Sequence, residues 1–373
     1  MATFSGNAYF ESVTFRKRAE FRLAIFSRHA DFELATFNWD PVFWLVTFSY
    51  GSFASATFSG NVNFESATFS DDAIFKSATF NKRANFGSAK FSGDVDFGSA
   101  TFSKGAKFGL ATFSGNTYFE SAKFSGDADF RSVTFSKRAE FRLAIFSGNA
   151  NFDSAKFDFD SDFVNTKFLS ITAFSEAVFH SAVPQFFGAT LHEGTAWHGA
   201  VWPPPTPHRG DNGVKKRAAQ EQVYAYERLK QEMEKLKKHE DEQFFFRKEL
   251  RARRELYPRI STYRVLNFLY ELLSNYGYDV LRPLAWFGGL FVVGFGLFAL
   301  DPFGFAGTKM SAWHAAHISL ANMFGGIPLR TIARNADDVL ARPAQAFAMF
   351  QTIAGAVLLF LFFLALRNRF RLR

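Results

Sequence analysis

SATFSDDAIFKSATF, residues 66–80, pairs a small residue with a phenylalanine three times over: Ala67 with Phe69, Ala73 with Phe75, Ala78 with Phe80. From Phe4 to Phe179, 33 phenylalanines follow one another at spacings of 5 or 6, alternating except for one swap between Phe48 and Phe53, so the unit is 11 residues. Two residues before the Phe stands Ala in 22 cases and Val in 5. A helix does not fit this period, because at 3.6 residues per turn steps of five and eleven land about 140° and about 20° away and the rings share no stripe. On an extended strand residues two apart point the same way, and the Ser, Gly, Asn and Asp between the pairs favour turns. Each unit thus supplies two short strands, each with one small and one large inward residue. So short a strand cannot bury a Phe alone; successive coils must stack into one core, where each buried ring is worth roughly 1.5–3 kcal/mol.

Over about residues 2–182 the pattern resembles that of pentapeptide-repeat proteins, whose five-residue unit has a small residue two before a central Leu or Phe. The resemblance implies a β solenoid, a right-handed quadrilateral β-helix. Its core is expected at Phe58, Phe64, Phe69, Phe75, Phe80, Phe86, Phe91, Phe97, Phe102, Phe108 and Phe113. Every second unit has a sixth residue, giving about 22 per four-sided coil and pointing to a bulge at the corner. Roughly eight coils at about 4.8 Å each would make a rod near 40 Å long. VTFRKRAEFRLAIFS (13–27) returns as VTFSKRAEFRLAIFS (133–147), which fits growth by duplication. The residue lost near Tyr50 and the stretch NWDPVFWLVTFSYGSF (38–53), with Trp39 and Trp44, read as a repaired insertion site rather than a docking patch.

The chain has 373 residues with 18% aromatics, too many for a disordered sequence. Its lack of cysteine excludes disulfides, thiolate metal sites and a cysteine nucleophile. The start, MATFSGNAYFES, carries no secretory pattern and is expected in the cytosol. Residues 1–182 hold 18 Lys+Arg and 19 Asp+Glu. Some pentapeptide-repeat proteins mimic DNA and inhibit topoisomerases, which needs a strongly acidic surface; this near-neutral rod supports neither that role nor a nucleic-acid partner.

The excess positive charge lies beyond the rod, with 25 Lys+Arg against 16 Asp+Glu in residues 183–373. The expected organisation is a β-helix over 1–186, a Pro/Gly-rich linker over 187–214, an all-α cytosolic helical region over 215–280 and a membrane domain over 281–373. Lys215 to Tyr257 contains no Gly or Pro and reads as helix stopped by Pro258. Tyr226, Leu229, Met233 and Leu236 outline a short seam, and Phe244, Phe245 and Phe246 are expected to pack on the next helix, 261–276. Residues 283–300 and 343–366 are uncharged and long enough to cross a bilayer core. The tail RNRFRLR favours a cytosolic C-terminus, so two crossings give a multi-pass protein of the plasma (inner) membrane with both ends in the cytosol. Segment 310–329 is expected to be re-entrant or interfacial: a short helix, then a Gly turn. This order resembles two-helix tetrameric cation channels, although NMFGGIPLR stands where Thr-Val-Gly-Tyr-Gly would be. On that resemblance His314, His317, Asn322, Gly325 and Gly326 are the candidate pore loop. The C-terminal half also resembles membrane-bound bacterial pentapeptide-repeat proteins, which brings no known reaction.

Catalytic chemistry finds little support. HEGTAWH (192–198) spaces its histidines six apart, off one helical face. His239 with Glu240, Asp241 and Glu242 reads as a solvated face. With no nucleophile set, nucleotide loop or paired carboxylates, the chain reads as non-enzymatic, with no metal and no cofactor. The function expected is a membrane-anchored scaffold that presents a cytosolic β-helix to an unknown cytosolic protein partner, with the lipid bilayer as its second partner. The alternative is a homo-oligomeric two-transmembrane channel-like protein with a degenerate pore loop regulated by the repeat domain.

Overall fold

The computed structural model describes residues 2–205, 212–304, 306, 310–324 and 342–371, and the chain divides into two compact units, Met1–Arg253 and Arg254–Arg373.

The first unit is a β solenoid of about eight turns. Two-residue strands such as Thr57–Phe58, Val62–Asn63, Thr68–Phe69 and Ala73–Ile74 mark its four faces. Each pairs in parallel with the strand 22 residues on: Ala73 with Val95, Thr79 with Thr101, Ala84 with Ala106 and Thr112 with Thr134. The rings stack in four columns, Phe53 on Phe75 at 5.1 Å, Phe58 on Phe80 at 4.9 Å, Phe64 on Phe86 at 5.0 Å and Phe69 on Phe91 at 4.9 Å. Across a coil they meet edge to face, as Phe53 and Phe64 do at 82°; both geometries suit the ring quadrupole. All eleven core phenylalanines expected from Phe58 to Phe113 are at most 1% exposed.

Two corner types explain the alternation of five and six. A five-residue link is a β-turn in which the Ala56 N–H donates to Phe53 O at 3.1 Å and Ser55 takes φ +55°. The left-handed residue recurs every 11 positions, at Ser66, Ser77 and Ser88, with Leu at positions 23, 34, 45, 110 and 143. A non-glycine residue there costs roughly 1–2 kcal/mol, which neighbouring coils must offset. Many six-residue links instead carry an Asp or Asn whose side chain caps the corner of the next coil: Asp94 N donates to Asp72 Oδ1 at 2.8 Å, and Asn116 N to Asp94 Oδ1 at 2.7 Å. The sixth residue thus makes room for an Asx ladder along the solenoid.

Where a residue is missing near Tyr50, the link straightens into one continuous strand, Thr47–Ser52, beside the seven-residue strand Ile25–Asp31, and the register shifts between Phe26 and His29. Gly51 takes the small-residue position there, because a Cβ would lie 3.0 Å from Phe69 Cε1.

The solenoid does not end at 186 as the phenylalanine count suggests. A further coil pairs Gln185 with Asp162, Thr190 with Lys167, Ala196 with Ala173 and Val201 with Val178. Phe186 stacks on Phe163, Trp197 on Phe174 at 4.7 Å, and Trp202 packs on Phe179. Much of the segment expected to be linker is therefore a further solenoid coil; residues 206–211 of it lie outside the described residues.

Helices α1 (Asn212–Lys235) and α2 (His239–Glu255) cover that last coil. They are not the single helix the composition favours: Lys237 turns left-handed at φ +57°, and Lys238 Nζ donates to Thr195 O of the final coil. Tyr226, Leu229 and Met233 are buried, as the seam requires. Phe245 packs edge-on against Trp197 at 5.8 Å and Trp202 at 5.1 Å, so the aromatic knot expected on the next helix meets the solenoid end. Buried Glu249 takes Lys230 at 2.6 Å and Arg253 at 2.7 Å, tying the two helices together.

The second unit holds α3 (Thr262–Ser274), α4 (Leu281–Leu300), α5 (Ala312–Met323) and α6 (Arg342–Arg371). Helices α4 and α6 are long and apolar enough to span a membrane. They run antiparallel: Asn368 near the end of α6 donates to Gly277 O just before α4, at 2.9 Å. Twelve-residue α5, about 18 Å long, is too short to span and packs against both.

Candidate functional site

The outward residue between the small residue and the Phe forms a column on each face. On two opposite faces these are Thr57, Thr79, Thr101, Lys123, Ile145 and Lys167, and Thr68, Lys90, Thr112, Thr134, Lys156 and Val178, mostly hydroxyls and lysines. The other two display Asp96, Tyr118, Glu140 and Asp162, and Asn63, Asn85, Lys107, Asp129 and Asn151. The neutral total of the rod thus conceals hydroxyl and lysine faces alternating with carboxylate and amide faces. Total charge hides this; the 22-residue period is the signal that reveals it.

Carboxylates on these faces are tied to neighbours. Asp129 accepts from Arg131 Nε at 2.9 Å and Nη2 at 2.7 Å; although burial pushes its carboxyl up, these hydrogen bonds and the guanidinium charge hold it below its ordinary value. Around Tyr50 the reverse holds, as burial and then Asp72 and Asp31 push the phenol up. Of the two tryptophans read as a repair, Trp39 is exposed and Trp44 lies under the Arg22 guanidinium at 5.5 Å.

Beside α1 the last coils form a cleft of about 480 Å³ lined by Arg138, Phe159, Asp162, Gln185, Glu221 and Tyr224. Phe159 falls outside the 5/6 ladder and is exposed, as is Tyr224. Arg138 pairs with Glu140 at 2.9 Å, and Arg142 approaches Asp162 at 3.7 Å. The cleft offers two aromatic side chains and paired charges, a surface suited to contact with a polypeptide and lacking a nucleophile–base pair. Of HEGTAWH, His192 Nδ1 accepts from Gly194 N at 2.9 Å and Trp197 sits in the core.

Of the candidate pore residues, the described ones, His314, His317 and Asn322, each contact a different neighbour. His314 is exposed and pairs with its own helix cap, Ser311 Oγ, at 2.7 Å, while His317 packs on Trp313 at 4.5 Å. Asn322 donates to Gln351 Oε1 at 3.3 Å, and Gly325 and Gly326 lie outside the described residues. The polar centre of this unit is Gln351, fully buried, which donates to Ser319 Oγ at 3.0 Å and to Leu290 O at 3.3 Å; Ser319 in turn reaches Phe291 O at 3.2 Å. Gly294 leaves space for this cluster, since a Cβ would collide with Gln351 and Ser319. A glutamine of α6, inside a 24-residue uncharged run, was the available signal. The cluster satisfies itself and joins α4, α5 and α6 as interhelical polar contacts do in lipid. Among the described residues no group of three or more His, Asp or Glu is placed to hold a metal.

The pentapeptide repeats (9 copies) family matches residues 53–101 and 97–145. No curated protein and no solved structure matches the chain.

Proposed function

We propose that this pentapeptide-repeat solenoid with two candidate membrane helices is a membrane-anchored scaffold, its β-helix held in the cytosol to bind a protein partner. The observation that carries the reading is the antiparallel pairing of α4 and α6, which sets Arg282 at the start of one and Arg367 and Arg369 at the end of the other on one side. By the positive-inside tendency that side is cytosolic, and the chain N-terminal to α4 then lies there too. Columns of side chains repeating every coil give the rod an extended, patterned binding surface, and the cleft at Phe159 and Tyr224 offers a local anchor. A photo-crosslinking residue at Tyr224 in the membrane-embedded full chain should yield one discrete heterologous adduct. Its absence there and at Tyr118 would count against the scaffold.

A homo-oligomeric channel is the second reading, favoured by the short α5 packed between two spans. Liposome flux from the full chain and from a Gly325→Val, Gly326→Val variant, with oligomer mass from the same sample, separates the two. Oligomer-dependent flux lost in the variant would favour the channel; silent monomers would remove it.

A further inference from the structure

Helix α3 is built inside out. Arg264, Asn267, Glu271 and Ser274, spaced 3, 4 and 3, form one stripe, and this polar stripe is the one turned into the fold. Asn267 Oδ1 accepts from Tyr276 OH at 2.9 Å, Glu271 from Arg254 at 2.5 Å, Arg264 donates to Glu255 at 3.1 Å, and Ser274 Oγ accepts from Gly277 N at 3.0 Å. Tyr276 is fully buried among them. The opposite face carries Val265, Leu266, Phe268, Leu269 and Leu272, all exposed, with Leu266 at 60%. A helix facing water on that side would reverse this arrangement.

Its position says what covers it. Trp286 Nε1 on the first turns of α4 donates to Leu272 O at 3.3 Å, and Arg282 donates to Glu271 O at 3.2 Å, so α3 is joined to the N-terminal end of a spanning helix. Asn368 brings the end of α6 to the same level through Gly277. Arg282, paired with Asp279 at 3.2 Å, and Arg367 and Arg369 are exposed around this end, and no carboxylate of α3 is exposed, since Glu271 is engaged. An apolar face continuous with lipid-facing helices and edged with cations has the composition of an interfacial helix.

We propose that α3 lies in the headgroup and upper acyl layer of the leaflet that receives the Arg-rich ends, its Val265–Leu272 face in contact with anionic lipid. This rests on the membrane reading of α4 and α6, and it moves α3 out of the region expected to be cytosolic. Tyr263 and Trp286 then sit at the depth where amphipathic aromatic rings are favoured.

The absence of cysteine makes the test direct. Leu266→Cys, Asn267→Cys, Val292→Cys and Tyr9→Cys versions of the full chain are labelled with an environment-sensitive fluorophore in phosphatidylcholine/phosphatidylglycerol vesicles, with and without brominated lipid. Leu266 and mid-span Val292 should be quenched several-fold by bromolipid and shielded from iodide, with Tyr9 showing the reverse. Leu269→Cys repeats the measurement if the Leu266 variant misfolds, and Asn267 should follow neither lipid-facing site. Quenching at Val292 but not at Leu266 or Leu269 overturns the proposal and leaves the spans intact. No quenching at Val292 overturns the membrane reading itself. A Leu266 label shielded from iodide yet untouched by bromolipid would mean that protein covers α3, and would also overturn the proposal.

Discussion

Replacing Phe86 with Ala should cut the solenoid at its middle. Phe86 is fully buried, stacked on Phe64 at 5.0 Å and Phe108 at 5.1 Å, and met edge-on by Phe75 and Phe97, both at 5.3 Å. Removing a ring so enclosed costs about 3–5 kcal/mol, because the stacked columns cannot collapse into the space without breaking the parallel ladder. Phe4 at the first coil stacks only on Phe26, at 4.5 Å, and is half-buried, so Phe4→Ala should cost roughly 1–2 kcal/mol by area. Phe86→Leu, closer in volume, should cost less than about 1.5 kcal/mol. The assay is denaturant unfolding of the full chain in detergent, followed by far-ultraviolet circular dichroism at 218 nm and near-ultraviolet aromatic signal. Nearest-neighbour solenoid energetics require the order Phe86→Ala, then Phe4→Ala and Phe86→Leu. Equal losses for the two alanine variants would refute the reasoning.

The corner ladder makes a sharper local claim: Asp94→Ala, which strips the acceptor from Asn116 N, should destabilise by about 1 kcal/mol, while Asp94→Asn keeps an oxygen there and should be nearly neutral in the same unfolding assay. At the left-handed turn, Ser77→Val should cost about 1–3 kcal/mol and Ser77→Gly much less, by thermal unfolding. Tyr226, buried with no hydrogen-bond partner for its hydroxyl, has its pKa pushed up by burial. Its contribution is intact below the ordinary phenol value of about 10 and is lost as pH rises past it, where the unfolded chain ionises first. Tyr226→Phe should be near-neutral at pH 7 and flatten the alkaline fall in midpoint. In the second unit Gly294→Val should displace Gln351 and Ser319 and lower the thermal midpoint of the helical signal, whereas Gly288→Val, with open space at its Cβ, should not.

The solenoid was legible because one residue type reports one inward column, and the period of those columns is the coil itself. Legibility failed where other residues took that place: Leu191, Trp197 and Trp202 continue the core after the phenylalanines stop, so the coil past 186 read as linker. The break at Lys237 left no Gly or Pro to mark it, since a lysine occupies the left-handed position. Both candidate membrane helices followed from uncharged length. Gln351, by contrast, gains its meaning from Ser319 and Leu290 across the bundle, contacts no local pattern encodes. In α3 the 3.6-residue period was plain, but which stripe faces inward depends on partners such as Arg254 and Tyr276 at other positions.

The most direct measurement is topology by impermeant maleimide on single-cysteine full chains in right-side-out and inverted membrane vesicles. Tyr9→Cys in the solenoid and Phe370→Cys at the end of α6 should both label only in inverted vesicles, and Leu300→Cys at the far end of α4 only in right-side-out ones. Labelling of Tyr9 and Phe370 from opposite faces, or of Leu300 from the same face as both, would contradict the account.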